Sequence, residues 1–278
     1  MTKQGFHLHL VSDATGETVQ SVARACLVQF EKAKPVEHFW TLVRNERQID
    51  EVIEAIEENP GFVLFTMVNV DIRTRLQDAC RHLQVPCISV LQPIMSAFGG
   101  FLQIEGQARP GRQHSLNNEY FERISAMDYA MTHDDGQAVW NLEEADVVLL
   151  GVSRTSKTPT CIYLANRGIK AANIPIVPGA KLPPEIFQLK SPLVIGLTND
   201  AGNLLQVRRN RLRMMNERND TTYVDPVAIA EEITFAKRLF TRQNWPMIDI
   251  SRRSIEETAA AIIQLRAQYQ ELNDGERP

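Results

Sequence analysis

The sequence predicts an α/β protein: an N-terminal parallel-sheet α/β unit followed by a C-terminal P-loop, kinase-like α/β domain. Three observations carry that expectation. Apolar runs of strand length alternate with amphipathic helical segments from Phe6 to Leu91 and again from Asp146 onward. A stretch without that rhythm separates the two halves. A loop opening on glycine and closing on lysine-threonine stands between a strand and a helix at the head of the second half.

Each element follows from local pattern. Phe6–Ser12 reads as a strand, and Thr18–Phe30 places Val19, Val22, Ala23, Cys26 and Phe30 at helical spacing. Val36–Val43 is the next strand. Gln48–Glu58 carries Ile49, Val52, Ile53 and Ile56 on one helical face, with Asn45 as its N-cap. Phe62–Val68 reads as a buried strand, Ile72–Leu83 as a charged amphipathic helix and Val85–Leu91 as a strand. Such alternation implies parallel strands joined by right-handed crossovers. Residues 93–145 break it: Gly99-Gly100 and Ala108–His114 read as loop, and Asn118–His133 as a helix ending in Asp134-Asp135-Gly136. The rhythm resumes with a strand at Asp146–Leu150, a helix at Lys157–Arg167 stopped by Gly168, and strands at Asn173–Val177 and Leu193–Leu197. Leu204–Glu217 is a helix with a basic face. Asp225-Pro226 is an N-cap followed by proline at the first helical position, opening Val227–Gln243. Pro246–Ile250 is the last strand, and Ser254-Ile-Glu-Glu257 is a capping box opening a helix to about Leu272. The expected divisions are an α/β domain over 1–92, a connecting region over 93–145 and a nucleotide-binding domain over 146–278.

Composition narrows the function classes. A chain of 278 residues buries roughly three quarters of its extended surface, so no metal or disulfide staple is needed. A net charge of -4 argues against a general nucleic-acid or membrane-surface binder. No apolar run approaches the ~18 residues of a spanning helix, and the N-terminus lacks a secretory layout. Cys26, Cys80, Cys87 and Cys161 have no metal or redox spacing and read as buried reduced thiols. A cytoplasmic α/β protein is expected.

The chemistry concentrates in one segment. Val147–Leu150 runs into Gly151-Val152-Ser153-Arg154-Thr155-Ser156-Lys157-Thr158. Gly151, Lys157 and Thr158 match the phosphate-loop pattern in register, and Ser156 stands where its second glycine belongs. In such a loop, backbone N–H groups and a helix N-terminus cradle phosphate oxygens, the lysine neutralises them and the threonine hydroxyl ligates Mg²⁺. An ordinary strand-to-helix turn is the competing reading. Val11–Thr18, after the first strand, suits either an anion site or a capped helix start. The five arginines of Gln206–Arg218 read mostly as a solvated face, with Arg208, Arg209 or Arg211 as possible phosphate clamps. His114, His133, Arg109, Arg112, Asp134 and Asp135 lie in or beside the irregular region; an aspartate there suits a general base, or plain turn chemistry. Asp200 and Asp249, near strand ends, are candidate Mg²⁺ carboxylates.

Six separated motifs then resemble one family: Ser12–Thr18, Tyr120–Ala130, His133–Gly136, Gly151–Pro159, Tyr163–Lys170 and Ser254–Ala259. The family is that of the bacterial and plastid pyruvate, phosphate dikinase regulatory proteins, with relatives that regulate phosphoenolpyruvate synthase. The loop Thr155-Ser156 and Leu164–Ile169 resemble the dikinase branch. The resemblance implies a bifunctional enzyme. As a kinase it uses ADP to phosphorylate a threonine of the dikinase and inactivate it; as a pyrophosphorylase it uses inorganic phosphate to remove that group as pyrophosphate. It places the nucleotide on Gly151–Thr158. With that, Lys157, Arg154 and an aspartate from Asp134, Asp135 or Asp13 are the expected catalytic groups, and Thr158 the metal ligand. The dikinase is the expected partner, residues 93–133 the docking segment, and a homodimer the expected assembly. Residues alone leave an ATP-dependent small-metabolite kinase and a non-catalytic nucleotide sensor as alternatives.

Overall fold

The computed structural model describes residues 4–104, 118–177, 179–215 and 222–275. Ala108–His114, with Arg109 and Arg112, and the end of the basic segment at Glu217-Arg218 lie outside the described residues. The chain forms two compact units, Met1–Ser115 and Leu116–Pro278.

The first unit runs β1 (Gln4–Ser12), α1 (Glu17–Leu27), β2 (Ala33–Trp40), α2 (Glu46–Glu58), β3 (Gly61–Thr66), α3 (Val70–His82), β4 (Cys87–Ser89) and α4 (Gln92–Leu102). Its sheet is parallel, in the order β2-β1-β3-β4. Side chains alternate across it. Val11, Val63 and Phe65 pack with Ile49, Val52, Ile56 and Leu76 of α2 and α3, while Leu8 and Leu10 pack with Val19 and Ala23 of α1. Asn45 caps α2 as its spacing requires, its Oδ1 accepting from Gln48 N at 2.9 Å.

The second unit runs α5 (Asn118–Thr132), β5 (Val147–Gly151), α6 (Lys157–Ala165), β6 (Ala171–Pro175), β7 (Leu193–Thr198), α7 (Ala201–Met214), α8 (Pro226–Arg242), β8 (Met247–Asp249) and α9 (Ile255–Gly275). Its strands are also all parallel, in the order β6-β5-β7-β8, the connectivity of the first unit over again. All five residues of β5 are buried, as expected of a central strand covered on both faces. Val148 and Leu150 pack toward Leu204, Ile229 and Phe240 of α7 and α8; Val147 and Leu149 pack toward Cys161, Leu164 and Ile262 of α6 and α9. Because β6 and β7 flank β5 on opposite sides, the crossover direction reverses at β5. A crevice at the carboxyl end of such a strand is where open α/β sheets bind ligands.

Three expectations need correction. Gly99-Gly100 lies inside α4 rather than in a loop; neither glycine has a positive φ, and the uncharged, apolar helix around them keeps Phe98 and Phe101 exposed. The cysteines are not uniformly buried: Cys80 and Cys161 are, Cys87 is half-buried and Cys26 is exposed, because α1 buries only Val19 and Ala23. Arg208 belongs neither to a solvated face nor to a phosphate clamp but is fully buried, as shown below. No helix among the described residues is long and apolar enough to cross a membrane.

Candidate functional site

The loop between β5 and α6 is shaped by three local constraints. Gly151 must lack a side chain, since a Cβ there would lie 2.5 Å from Thr155 Oγ1 and 2.8 Å from the Leu197 carbonyl of β7. The chain then turns through two left-handed residues, Arg154 at φ 71° and Ser156 at φ 54°. Ser156 thus adopts the conformation a glycine would supply, at a cost of about 1 kcal/mol. Third, Thr155 is buried and donates its hydroxyl to the Val152 carbonyl at 2.9 Å, tying the loop to itself.

These constraints leave the amides of residues 153–156 donating to no protein carbonyl among the described residues. They lead directly into the N-terminus of α6, whose N-cap Ser156 makes no side-chain cap bond. Uncapped amides and a positive helix end make an anion site. Lys157, the first residue of α6, is 5% exposed, and its Nζ donates to Val152 O across the loop at 3.1 Å. Burial pulls its ammonium down to about 8, opposed chiefly by the negative field of Asp135 and by Asp134. A cavity of about 280 Å³ opens over the loop, lined by residues 153–159 with Asp135, Pro175 and Val207.

Asp134 and Asp135 reach this place through backbone pairing. His133 O accepts from Asn173 N of β6 at 3.0 Å, which draws the 3₁₀ turn Asp134–Gly136 alongside that strand. Thr158 Oγ1 then donates to Asp134 Oδ1 at 2.8 Å, and Asn173 Nδ2 donates to Thr158 Oγ1 at 2.9 Å and to Asp134 Oδ1. Asn173 Oδ1 remains buried without a partner among the described residues. Asp135 takes a left-handed conformation, φ 50°, and lines the loop cavity.

Around the loop lies a layer of which sequence reasoning named Arg208, in another role, and missed Tyr223 and Glu232. Tyr223 Oη accepts from Arg154 Nε at 3.1 Å and lies 3.5 Å from Ser153 Oγ. Arg208 donates from Nη2 to Glu232 at 2.6 Å and to the Ser153 carbonyl at 3.3 Å, and from Nη1 to the Tyr223 carbonyl at 3.1 Å. Its guanidinium also sits 4.6 Å from the Tyr223 ring centroid. Among the residues missed, Asn173, a polar residue in the apolar run Ala171–Ile174, carried a signal readable from sequence.

Other expected residues lie elsewhere. Asp200 caps α7, accepting from Gly202 N and Asn203 N, and Asp249 accepts from Ser251 N. His133 is buried with its Nδ1 2.8 Å from Tyr129 O and its ring stacked on Tyr129. Asp13 belongs to the first unit, where its Oδ2 accepts from Val68 N at 2.7 Å. No group of three or more acidic, histidine or cysteine side chains gathers into a metal cluster among the described residues.

Comparison with known proteins supplies the family. A family model described as kinase/pyrophosphorylase matches residues 8–263. A protein of Paramagnetospirillum magneticum is 54% identical over 96% of this chain and 86% of its own. Proteins of Caulobacter vibrioides (53% identical, over 94% of this chain and 82% of theirs) and Rhodospirillum rubrum (50%, over 95% and 96%) are similar throughout. All three are provisionally named pyruvate, phosphate dikinase regulatory proteins. A match of that extent, over a loop whose geometry suits phosphate, is decisive: the chain belongs to the kinase/pyrophosphorylase family.

Proposed function

We propose that this protein regulates pyruvate, phosphate dikinase by moving one phosphoryl group on and off a threonine of that enzyme. In the inactivating direction ADP gives its terminal phosphoryl group to the threonine hydroxyl and leaves as AMP. In the activating direction inorganic phosphate takes the group back and leaves as pyrophosphate. One observation carries the reading: uncapped amides, a buried lysine and Asp135 face a single cavity in a member of the kinase/pyrophosphorylase family. Both reactions place a phosphoryl group between two oxygens, so one electrostatic cradle serves both.

In this reading Lys157 and the amides of residues 153–156 hold the donor phosphates, and Arg154 offsets charge on the transferring group. Asp135 accepts the proton of the acceptor hydroxyl, since it lines the cavity while Asp134 is engaged by Thr158 and Asn173. Mg²⁺ suits the donor set: Thr158 Oγ1 and Asp134 Oδ1 are hard oxygens one hydrogen bond apart, and the orphaned Asn173 Oδ1 lies beside them. When bound it would neutralise phosphate charge. The same reading has the protein act in the cytoplasm and as a homodimer.

The test is to incubate the protein with the dikinase and ADP labelled in its terminal phosphate. Label on a dikinase threonine is expected, and Lys157→Ala should lose both this transfer and the phosphate-dependent removal. Transfer to phosphoenolpyruvate synthase alone would move the target. Transfer from ATP to a small molecule, or binding without transfer, would overturn the reading.

A further inference from the structure

A second cavity, of about 540 Å³, adjoins the loop and shares Ser153 with it. Its volume falls within the roughly 300–1,000 Å³ of small-molecule sites. Its walls are Ile176 and Val177, which follow β6, Tyr223, and Phe235 of α8. Val177 and Phe235 stay 50% and 52% exposed although the hydrophobic cores lie close by, so these walls offer apolar surface that no group among the described residues covers.

The cavity is also chemically built. Arg208, which lines it, has no exposed surface, and Glu232 beside it is ion-paired with it at 2.6 Å. Burying a guanidinium there costs desolvation that only close pairing and further hydrogen bonds offset, and those bonds enforce a geometry. What they enforce is the position of Tyr223, through the carbonyl bond and the ring contact, and that of the loop at Ser153. Arg208 Nε is buried without a partner among the described residues. Apolar and aromatic walls, an immobilised tyrosine and carboxylates of Glu231 and Glu232 at one side suit a flat heteroaromatic ring with exocyclic N–H donors.

We propose that this cavity binds the base and ribose of a purine nucleotide whose phosphates lie on the adjoining loop. The ring lies against Tyr223 and Phe235, and its amino group donates to a carboxylate on α8. Tyr223, hydrogen-bonded to Arg154, then couples recognition of the base to the phosphate end. This inference rests on the phosphate-loop reading and adds the subsite that tells a nucleotide from a bare phosphate chain.

The two can fail separately. ADP and pyrophosphate are titrated by calorimetry into the full-length protein and into Ala228→Phe, which fills the cavity from α8, and Phe235→Ala, which removes a half-exposed wall. Both variants should weaken ADP binding tenfold or more and leave pyrophosphate within about twofold, which also shows that the loop is folded. Should Ala228→Phe weaken both ligands, Phe235→Ala decides. Unchanged ADP binding in Phe235→Ala, or in both variants, overturns the inference while the phosphate loop stands. Loss of threonine phosphorylation with ADP binding intact also overturns it, assigning the cavity to the acceptor. If wild-type protein binds neither ligand, the loop reading fails and the inference with it.

Discussion

Lys157 is a charge held where water barely reaches, and its titration follows from that. Burial lowers its folded pKa to about 8, against about 10.4 in an unfolded chain. Below pH ~8 both states hold the proton. Between about 8 and 10.4 only the unfolded state does, so this residue's contribution to stability rises with pH across that window. Urea denaturation at pH 7.5 and 9.5 should therefore show wild-type protein gaining on Lys157→Met by on the order of 2 kcal/mol; a constant difference would mean that the ammonium is not desolvated. The neighbouring aspartates should separate by kinetics. Asp135→Asn should lower transfer by about 10²–10⁴ with ADP affinity kept, as removal of a general base does. Asp134→Asn, which changes the group bonded to Thr158, should raise the Mg²⁺ concentration needed for half-maximal rate. Equal effects of the two changes on both measurements would refute the division of roles. The loop residues were legible because their order along the chain is the site. The aspartates were legible only as candidates, because the turn Asp134–Gly136 reads equally as turn chemistry until β6 is placed beside it.

At the scale of elements, helices that announce their own ends were the easiest to read. Asp225 caps α8 through Val227 N and Ala228 N, and Ser254 and Glu257 exchange the two hydrogen bonds of a capping box. Helix α7 was read correctly as a helix whose Arg209, Arg211 and Arg213 face solvent, but Arg208 could not be told from them until α8 supplies Glu232. Breaking one partner of that buried pair strands the other. Glu232→Gln should cost about 3–5 kcal/mol in chemical denaturation, and the double change Arg208→Met with Glu232→Met should recover most of it. A double variant as unstable as the single one would show that the hydrogen bonds to Ser153 and Tyr223, rather than the stranded charge, hold the elements together.

At the scale of the molecule, two parallel sheets of one connectivity carry separate cores, each with a buried thiol: Cys80 in the first unit and Cys161 on α6 in the second. A thiol reagent thus reads the opening of each unit. Pyrophosphate at a hundred times its dissociation constant should slow labelling of Cys161 about a hundredfold and leave Cys80 unchanged. Equal slowing of both would show that the units open together. Exposed Cys26 should react at once whether or not ligand is present.

The sequence by itself determined the α/β class, the alternation of elements and the segment proposed to bind phosphate. Each of these is written in contiguous residues: period, caps, and a loop whose glycine, lysine and threonine stand in fixed register. Tertiary structure alone decided which aspartate meets Thr158, that Asn173 joins them, and that Arg208 is a buried strut behind the loop rather than a surface charge. Those pairings span 24, 39 and 24 residues of chain between hydrogen-bonded partners. Local pattern carries no information over such separations; the order in which parallel strands and their helices pack does.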